Sequence, residues 1–312
     1  MIDRRTLVAG ALAAPLSAQA RDAAVKGSRA YSESIMVMSV AADGSSAVTL
    51  RFCRFPVEGY TWVWCHVLVG QDLYAFTRHD LPAGPERLAD GQSATYLAPP
   101  LKARLAREGR GPGLSNVRLS ADLGFHKSRS APLGDGPVRG RIEGRFTAER
   151  ALVAQVLEGR DEVYGRLDAE IRIGGRRLRH TGPAKFHEQR QEAPRFDTPF
   201  CYGWLAGADR AATSLLVNQG AAGGWILGGR ESAIADLVLD PPGQTRAATW
   251  KLKDAPALPG RFEALTRYEI PIHGRAWQGS FVRGEVGGAP VVGVLNDWPG
   301  PPDIYAAARS RA

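Results

Sequence analysis

Cysteine and histidine are scarce in this chain of 312 residues, which contains 3 Cys and 6 His. The histidines are scattered, and neither residue type shows the paired spacing of a zinc or iron–sulfur site. The sequence also lacks a P-loop, a dinucleotide-binding glycine motif, a zincin helix and a nucleophile elbow. Its serines have no base at a recognisable spacing, so a hydrolase triad is not predicted. We therefore expect neither a metal ion nor an organic cofactor.

A long apolar run is also missing. The apolar stretch Leu7–Leu16 is too short to span a bilayer. It follows Arg4 and Arg5 and precedes Ala18-Gln19-Ala20, a small-x-small cleavage signal. Residues 1–20 are therefore predicted to be a signal peptide, and the paired arginines suggest the twin-arginine export route. Because Arg21 rather than cysteine follows the cleavage site, we expect an exported periplasmic protein without a lipid anchor.

The chain carries a net charge of +8, but its basic residues are spread along the whole length. A nucleic-acid-binding protein usually gathers such residues in one patch within a recognisable module, and no such module is present. Nucleic acid is therefore not an expected partner. Peripheral contact with an anionic membrane surface is compatible with this charge.

Short alternating segments separated by glycine-rich turns fill most of the chain, which is typical of all-β proteins. We predict two lipocalin-like antiparallel β-barrels or curved sheets, over residues 21–192 and 193–312. Eight-stranded barrels of this kind can enclose one small apolar ligand. The best candidate for a short helix is Leu101–Glu108, and the tail after Trp298 is expected to be a loose end.

The clearest predicted hairpin joins Val48–Phe55 to Thr61–Val69. In its second arm Trp62, Trp64 and His66 share one face, because side chains repeat every two residues in a strand. These residues form either a core or the wall of a ligand pocket, with His66 and Arg78 or His79 at its mouth.

Two of the three cysteines, Cys53 and Cys65, flank the turn of this hairpin. In an oxidising compartment they can form a disulfide. The alternative is a pair of buried free thiols.

The most unusual chemistry lies in the segment Gly182–Trp204. It contains the titratable residues Lys185, His187, Glu188, Arg190, Glu192, Arg195 and Asp197, together with the aromatic residues Phe186, Phe200, Tyr202 and Trp204. Carboxyl and imidazole groups beside aromatic faces favour a pocket that transfers protons to an apolar ligand. The alternative is a solvated loop whose surface ion pairs, Lys185–Glu188 and Glu192–Arg195, contribute at most about 1 kcal/mol each.

This segment resembles the carotenoid 1,2-hydratase (hydroxyneurosporene synthase) family and related secreted, lipid-handling lipocalin-like proteins. The resemblance rests on a Gly-Gly hairpin, Arg179-His180-x-Gly182-Pro183-x-x-Phe186-His187-Glu188-Gln189, and then Phe200-x-Tyr202-Gly203-Trp204. It implies two barrels side by side and a proton-initiated reaction. The chain departs from the family at His187 and Gln189, where the hydratases tend to carry Asp and Asn.

On this basis the candidate catalytic residues are Glu188, His187 and Asp197, with Glu188 as the acid. The candidate ligand-binding residues are Phe186, Tyr202, Trp204, Trp62, Trp64 and His66.

The expected function is that of an exported protein that binds a lipophilic isoprenoid or lipid and hydrates, isomerises or cyclises it. The competing hypotheses are a non-catalytic periplasmic carrier that works with a membrane lipid transporter, and a structural envelope protein. A buried carboxyl group facing a cavity favours the enzyme, a wholly apolar cavity favours the carrier, and two filled barrels favour the structural protein.

Overall fold

The computed structural model describes residues 31–83, 87–89, 93–108, 114–154, 156–298 and 303–311. The predicted signal peptide, residues 1–20, lies outside this range. No helix within the described ranges is long and apolar enough to cross a membrane.

The first half of the described chain forms an 11-stranded antiparallel sheet, the first sheet. In chain order its strands are β1 (Ser32–Val40), β2 (Ser46–Phe55), β3 (Tyr60–Val69), β4 (Asp72–Pro82), β5 (Arg87–Ala89), β6 (Ser93–Leu97), β7 (Lys102–Glu108), β8 (Asn116–Phe125), β9 (Val138–Ala151), β10 (Arg160–Ile173) and β11 (Arg176–Gln191). Their order across the sheet is 4-3-2-1-11-10-9-8-7-6-5. Because β1 pairs with β11, the two ends of this chain segment meet in the middle of the sheet.

The second half forms a closed eight-stranded barrel, followed by one helix. Its strands are β12 (Phe200–Ala206), β13 (Arg210–Val217), β14 (Gly220–Leu227), β15 (Arg230–Leu239), β16 (Thr245–Leu252), β17 (Leu258–Ile272), β18 (Arg275–Val286) and β19 (Ala289–Trp298), and the helix is α1 (Asp303–Arg311). Pairing of β19 with β12 closes the barrel. The predicted all-β class with lipocalin-like barrels or curved sheets is confirmed.

Glycine turns allow these strands to follow one another directly. Gly174 and Gly175 join β10 to β11 with φ angles of 56° and 76°. This left-handed region is open to glycine but costly for most other residues, and it matches the twist of paired strands. The predicted two-residue hairpin turn is therefore confirmed.

Three buried apolar cores organise the molecule. One lies inside the curled first sheet, and a second lies inside the barrel, where Trp225, Trp250 and Phe262 fill the interior. The third lies between the first sheet and the outer face of the barrel, and we call it the interface core. Because side chains occupy the barrel interior, the enclosed ligand space expected there is filled. The two main clefts among the described residues open instead at the interface core.

Two local predictions are wrong. Residues 102–108 form strand β7 rather than a helix, because Ala103 and Leu105 alternate inward and the segment pairs with β8. The tail is not loose either, since α1 buries Ile304, Tyr305 and Ala308 against the barrel core.

The hairpin cysteines do not form a disulfide. Cys53 lies opposite Trp62 and Cys65 lies opposite Leu50, so the two cysteines are out of register. Cys53 faces the interface core, whereas Cys65 faces the interior of the first sheet. All three cysteines are buried free thiols, as the alternative prediction stated.

Candidate functional site

A group of polar side chains lies inside the interface core, where β10 and β11 face the barrel. Glu162 of β10 pairs across the sheet with His187 of β11, and Lys185 lies two residues away on the same face. Lys185 Nζ forms an ion pair with Glu162 and lies 3.3 Å from His187 Nδ1. Tyr202 of β12 directs its hydroxyl at the same carboxylate, at 3.3 Å. We call these four residues the proton cluster; each is at most 4% exposed.

Burial sets the protonation states in the proton cluster. It lowers the pKa of Lys185 to about 7, although the attraction of Glu162 opposes the shift. It also lowers the pKa of His187 well below its ordinary value, aided by the repulsion of Arg160 and Lys185. A lysine with a pKa near neutrality can both release and accept a proton at physiological pH. The histidine stays neutral.

Arg160 joins the proton cluster to its surroundings. Its guanidinium pairs with Glu162, donates to Gln189 Oε1 at 3.1 Å and lies 3.2 Å from His187 Nδ1. It also stacks over the Tyr202 ring at 4.4 Å. Gln189 in turn accepts a weak hydrogen bond from Arg195 Nη1 at 3.4 Å. A continuous polar chain therefore leads from the carboxylate of Glu162 to Arg195.

Two further arginines of the interface core have no carboxylate partner in the part of the chain that the structure describes. Arg51 of β2 is 5% exposed, lies over the Trp64 ring at 4.4 Å and donates its Nε–H to Ser34 Oγ at 3.1 Å. Burial lowers its pKa to about 9. Arg195 donates its Nε–H to Ser32 Oγ at 2.7 Å. Its Nη2 is buried and has no hydrogen-bond partner among the described residues.

An open cleft of about 650 Å³ reaches this polar chain at Arg195. Its lining residues are Phe55, Glu58, Tyr60, Trp62, Pro194, Arg195, Phe196, Asp197, His273, Arg275 and Trp298. We call it the aromatic cleft. Its walls suit an apolar molecule, while its inner end offers a guanidinium.

Phe196 fills part of the aromatic cleft. Its ring stacks on Trp62 at 5.8 Å and packs against Trp298 at 5.1 Å. Trp298 Nε1 donates to the Phe196 carbonyl at 2.8 Å. The backbone of Phe196 has a φ of 70°, a left-handed conformation that is strained for a bulky residue. Packing therefore holds this ring in place against a backbone cost.

Several predicted site residues meet at the interface core. His187 and Tyr202 belong to the proton cluster, and Trp62 and Trp64 stack on each other at 6.1 Å. His79, predicted at the mouth, accepts a hydrogen bond from Trp64 Nε1 at 2.8 Å. The predicted shared face of Trp62, Trp64 and His66 is correct.

Other predicted residues lie apart from the proton cluster. His66 stacks on Tyr268 at 4.3 Å, and Trp204 is fully buried in the same core. Asp197 is exposed at the edge of the aromatic cleft.

Glu188 and Phe186 face the opposite side of the first sheet. Glu188 accepts a hydrogen bond from Tyr96 Oη at 2.5 Å and pairs with Arg107 Nε at 2.9 Å. Phe186 packs on Phe146 inside the first sheet. The structure therefore separates the predicted acid from the aromatic junction, because neighbouring residues of a strand point to opposite faces. The predicted surface pair Lys185–Glu188 is wrong for the same reason.

Sequence reasoning missed Glu162, Arg160 and Arg51. All three are charged strand residues: Arg51 and Glu162 are buried, and Arg160 is half-buried at the start of β10. That is the available signal: Arg51 lies in β2, whose ten residues are all buried. Buried charges are rare outside paired or functional sites.

No protein-family model matches the sequence, and a comparison with curated proteins found no match. Solved structures do resemble the fold. A candidate AttH protein of Nitrosomonas europaea aligns with a TM-score of 0.57 at 12% identity, over 94% of this chain and 98% of that chain. CghA in complex with Sch210972 aligns with a TM-score of 0.54 at 11% identity, over 86% and 88%. Kievitone hydratase from Nectria haematococca aligns with a TM-score of 0.49 at 10% identity, over 86% and 88%.

The chain shares the overall fold of CghA and of the AttH protein. At these identities the likeness extends to the fold alone.

Proposed function

We propose that the protein binds a lipophilic small molecule in the aromatic cleft and transfers protons to it through the proton cluster. The observation that carries this proposal is the burial of Glu162, Lys185, His187 and Tyr202 in an apolar interface, connected to the cleft through Arg160, Gln189 and Arg195. Buried ionisable groups with shifted pKa values in or beside a cleft are typical of functional sites. CghA, which shares the fold, is known in complex with the small molecule Sch210972.

The proposed reaction class is that of a hydratase, isomerase or cyclase of the carotenoid 1,2-hydratase type. In hydration, one carbon of a double bond gains a proton from the protein, water adds to the other carbon, and the water's second proton returns to the protein. Lys185 is the proposed donor and Glu162 the proposed acceptor, with the Tyr202 hydroxyl directed at that carboxylate. General acid–base catalysis of this kind typically contributes about 100- to 10,000-fold.

Matched tyrosine variants test the proposal. Tyr202→Phe removes the hydroxyl that faces Glu162, whereas Tyr164→Phe removes one that meets Thr213 Oγ1 in the same interface. Each variant is incubated with isoprenoid and polyene candidates in ¹⁸O-labelled and in deuterated water, and products are analysed by mass spectrometry. We expect label in the parent's product, about 100-fold slower turnover for Tyr202→Phe, and near-parental turnover for Tyr164→Phe. Equal loss in both variants contradicts a specific role for Tyr202.

The second candidate function is a non-catalytic lipid carrier that works with a membrane lipid transporter. The aromatic walls of the cleft favour it, because Trp62, Phe196 and Trp298 bind apolar groups whether or not a reaction follows. Mass spectrometry of co-purified lipids distinguishes the two. Retained lipid without labelled product from the parent supports the carrier.

The proposed location is the periplasm. This part rests on Arg4, Arg5 and the short apolar run that follows. N-terminal analysis of the envelope fraction is expected to find a mature chain that begins at Arg21. Recovery of the chain from Met1 in the cytoplasm alone contradicts export.

A further inference from the structure

We infer that the ligand of the aromatic cleft is a lipophilic acid, whose anionic oxygens are bound by Arg195 at the inner end of the cleft, with the charge of Arg51 nearby. This inference rests on the proposed binding function and adds the chemical class of the ligand. It depends on the balance of buried charge around the cleft.

The charges of the interface core do not balance. Arg51, Arg160, Lys185 and Arg195 supply four cationic groups, and Glu162 is the one carboxylate that pairs with any of them among the described residues. Glu162 forms ion pairs with both Arg160 and Lys185. Among the described residues, no carboxylate pairs with Arg51 or Arg195. Arg51 contacts Ser34 and Cys53, and Arg195 contacts Ser32 and Gln189.

Other buried arginines in the described chain show the contrast. Each has a carboxylate partner: Arg54 with Glu33, Arg107 with Glu188, and Arg246 with Asp297. An unpaired buried charge costs several kcal/mol, so folds pair such groups or use them. The exceptions are the buried Arg51 and the half-buried Arg195, and Arg195 lines the aromatic cleft.

The geometry at Arg195 shows where the ligand's anion binds. Its Nε and Nη1 are engaged by Ser32 and Gln189, whereas its Nη2 is buried and unpartnered. Arg195 also lines the aromatic cleft, so a turn of its guanidinium would present this N–H group to a molecule in the cleft. A guanidinium binds the oxygens of an anion more strongly than it binds neutral acceptors.

The aromatic walls of the cleft determine the chemistry of the ligand's tail. Trp62, Phe196 and Trp298 offer apolar faces along the cleft, which suit a hydrocarbon or polyene tail. A ligand with an anionic head and such a tail satisfies the unpaired cations and the aromatic walls together. A fully neutral hydrocarbon satisfies only the walls.

The same charge balance bears on the proposed reaction. An excess of cations stabilises negative charge that develops on a ligand, and it disfavours a carbocation. The double bond is therefore one conjugated to the acidic group: water adds first to its β carbon and loses a proton to Glu162, and the enolate-like anion that results takes a proton from Lys185 at the α carbon.

A binding assay with one polyene in two forms tests the inference. cis-Parinaric acid and its methyl ester share the same fluorescent tail and differ only in the anionic head. Each is titrated into the purified full chain near neutral pH. We expect the acid to bind at least about 10-fold more tightly than the ester, because a hydrogen bond to a charged group contributes about 1.5–3 kcal/mol.

Variants of two arginines test whether Arg195 causes the preference for the acid over the ester. Arg195→Gln is expected to weaken binding of the acid by about 10-fold or more and to leave the ester unchanged. Arg195→Lys keeps the charge and is expected to retain most of the preference for the acid. The control is Arg275→Gln, an exposed arginine at the rim of the same cleft, which is expected to change affinity for the acid by less than about 3-fold.

The outcomes are distinguishable. Equal affinity of the parent for acid and ester, or an acid preference that survives in Arg195→Gln, overturns the inference and leaves the proposed binding function intact. Equal weakening of acid and ester in Arg195→Gln assigns Arg195 a structural role and also overturns it. If neither form binds the parent, the proposed function itself fails.

Discussion

His187 and Glu188 are adjacent in the chain but belong to different environments. His187 lies in the proton cluster of the interface core, whereas Glu188 pairs with Arg107 inside the first sheet. The two environments are separated by the thickness of one strand. A substitution at one position therefore acts on the domain interface, and a substitution at the other acts on the interior.

Glu188→Gln is predicted to affect stability rather than ligand chemistry. The change removes the anionic partner Glu188 from the buried Arg107, and breaking a buried ion pair typically costs about 3–5 kcal/mol. Denaturant unfolding measures this loss, and turnover or ligand affinity at a temperature where the variant remains folded is expected to match the parent. If the variant is as stable as the parent but inactive, Glu188 takes part in the ligand chemistry after all.

His180→Gln is predicted to change how stability depends on pH. His180 is fully buried between Ser46 Oγ and Ser39 Oγ, and burial lowers its pKa from 6.5 to about 4. Between those two values the unfolded chain binds a proton that the folded chain does not. The contribution of His180 to the free energy of unfolding is therefore complete above pH 6.5 and is lost as the pH falls to 4, by roughly 3 kcal/mol.

Urea unfolding of parent and His180→Gln at several pH values between 7 and 4 measures this effect. We expect the parent to lose its advantage, relative to the variant, as the pH falls through this window. A constant difference between the two proteins would show that His180 titrates alike in the folded and unfolded chain.

At the scale of elements, the linker between β11 and β12 is the segment with most consequence for the cleft. It carries both Arg195, which binds Ser32 of the first sheet, and Phe196, which stacks on Trp62 of the first sheet and packs on Trp298 of the barrel. The linker thus supplies side chains to both walls. Its backbone at Phe196 is held at a positive φ by these contacts.

The backbone strain at Phe196 predicts an unusual order of stability. Glycine replaces a residue at φ 70° without steric cost, whereas alanine retains the Cβ clash, so Phe196→Gly is expected to be more stable than Phe196→Ala by about 1 kcal/mol. The control pair is Phe200→Gly and Phe200→Ala in strand β12, where alanine is expected to be the more stable. Thermal unfolding of the four variants measures these stabilities. If alanine is more stable than glycine at both positions, the backbone of Phe196 is not strained.

The elements of this fold could largely be predicted from the sequence, because they are encoded locally. The hairpin of β2 and β3 follows from alternating Trp, Val and Thr residues, and the Gly174–Gly175 turn follows from its two glycines. Residues 102–108 were assigned wrongly because their short pattern of Ala and Leu fits a helix as well as a strand. Pairing with β8, the next strand along the chain, decides in favour of a strand.

The site could be predicted only in part. His187, Tyr202, Trp62 and Trp64 follow from a local concentration of aromatic and titratable residues. Glu162 and Arg51 do not, because their role depends on which face of the first sheet packs against the barrel. That pairing of faces involves both halves of the chain, and no local pattern encodes it.

At the scale of the whole molecule, the first sheet and the barrel share one core. Trp64 of the first sheet meets Trp277 of the barrel edge to face at 5.3 Å, and Tyr164 meets Thr213 through a hydrogen bond of 2.5 Å. The interface core includes large side chains from both halves. Separation of the two halves would expose these tryptophans to water.

We therefore predict a single cooperative thermal transition for the full chain. Calorimetry is expected to give equal calorimetric and van't Hoff enthalpies. Trp277→Ala is expected to lower the one transition temperature, with a loss of about 3–5 kcal/mol from the removal of a buried aromatic ring. Two resolved transitions in the parent would show that the halves unfold independently.

The linker of residues 192–199 is also expected to tolerate inserted residues poorly. Loops between domains usually tolerate inserted residues, because little is packed against them. Here one added residue on either side of Phe196 would move its ring out of register with Trp62 and Trp298, or would draw Arg195 away from Ser32. A segment without regular secondary structure is thus as intolerant of insertion as a core strand. A library of insertions along the chain is expected to show the lowest survival at this connection and higher survival at the Gly228–Gly229 and Gly287–Gly288 turns, where the chain reverses at the surface.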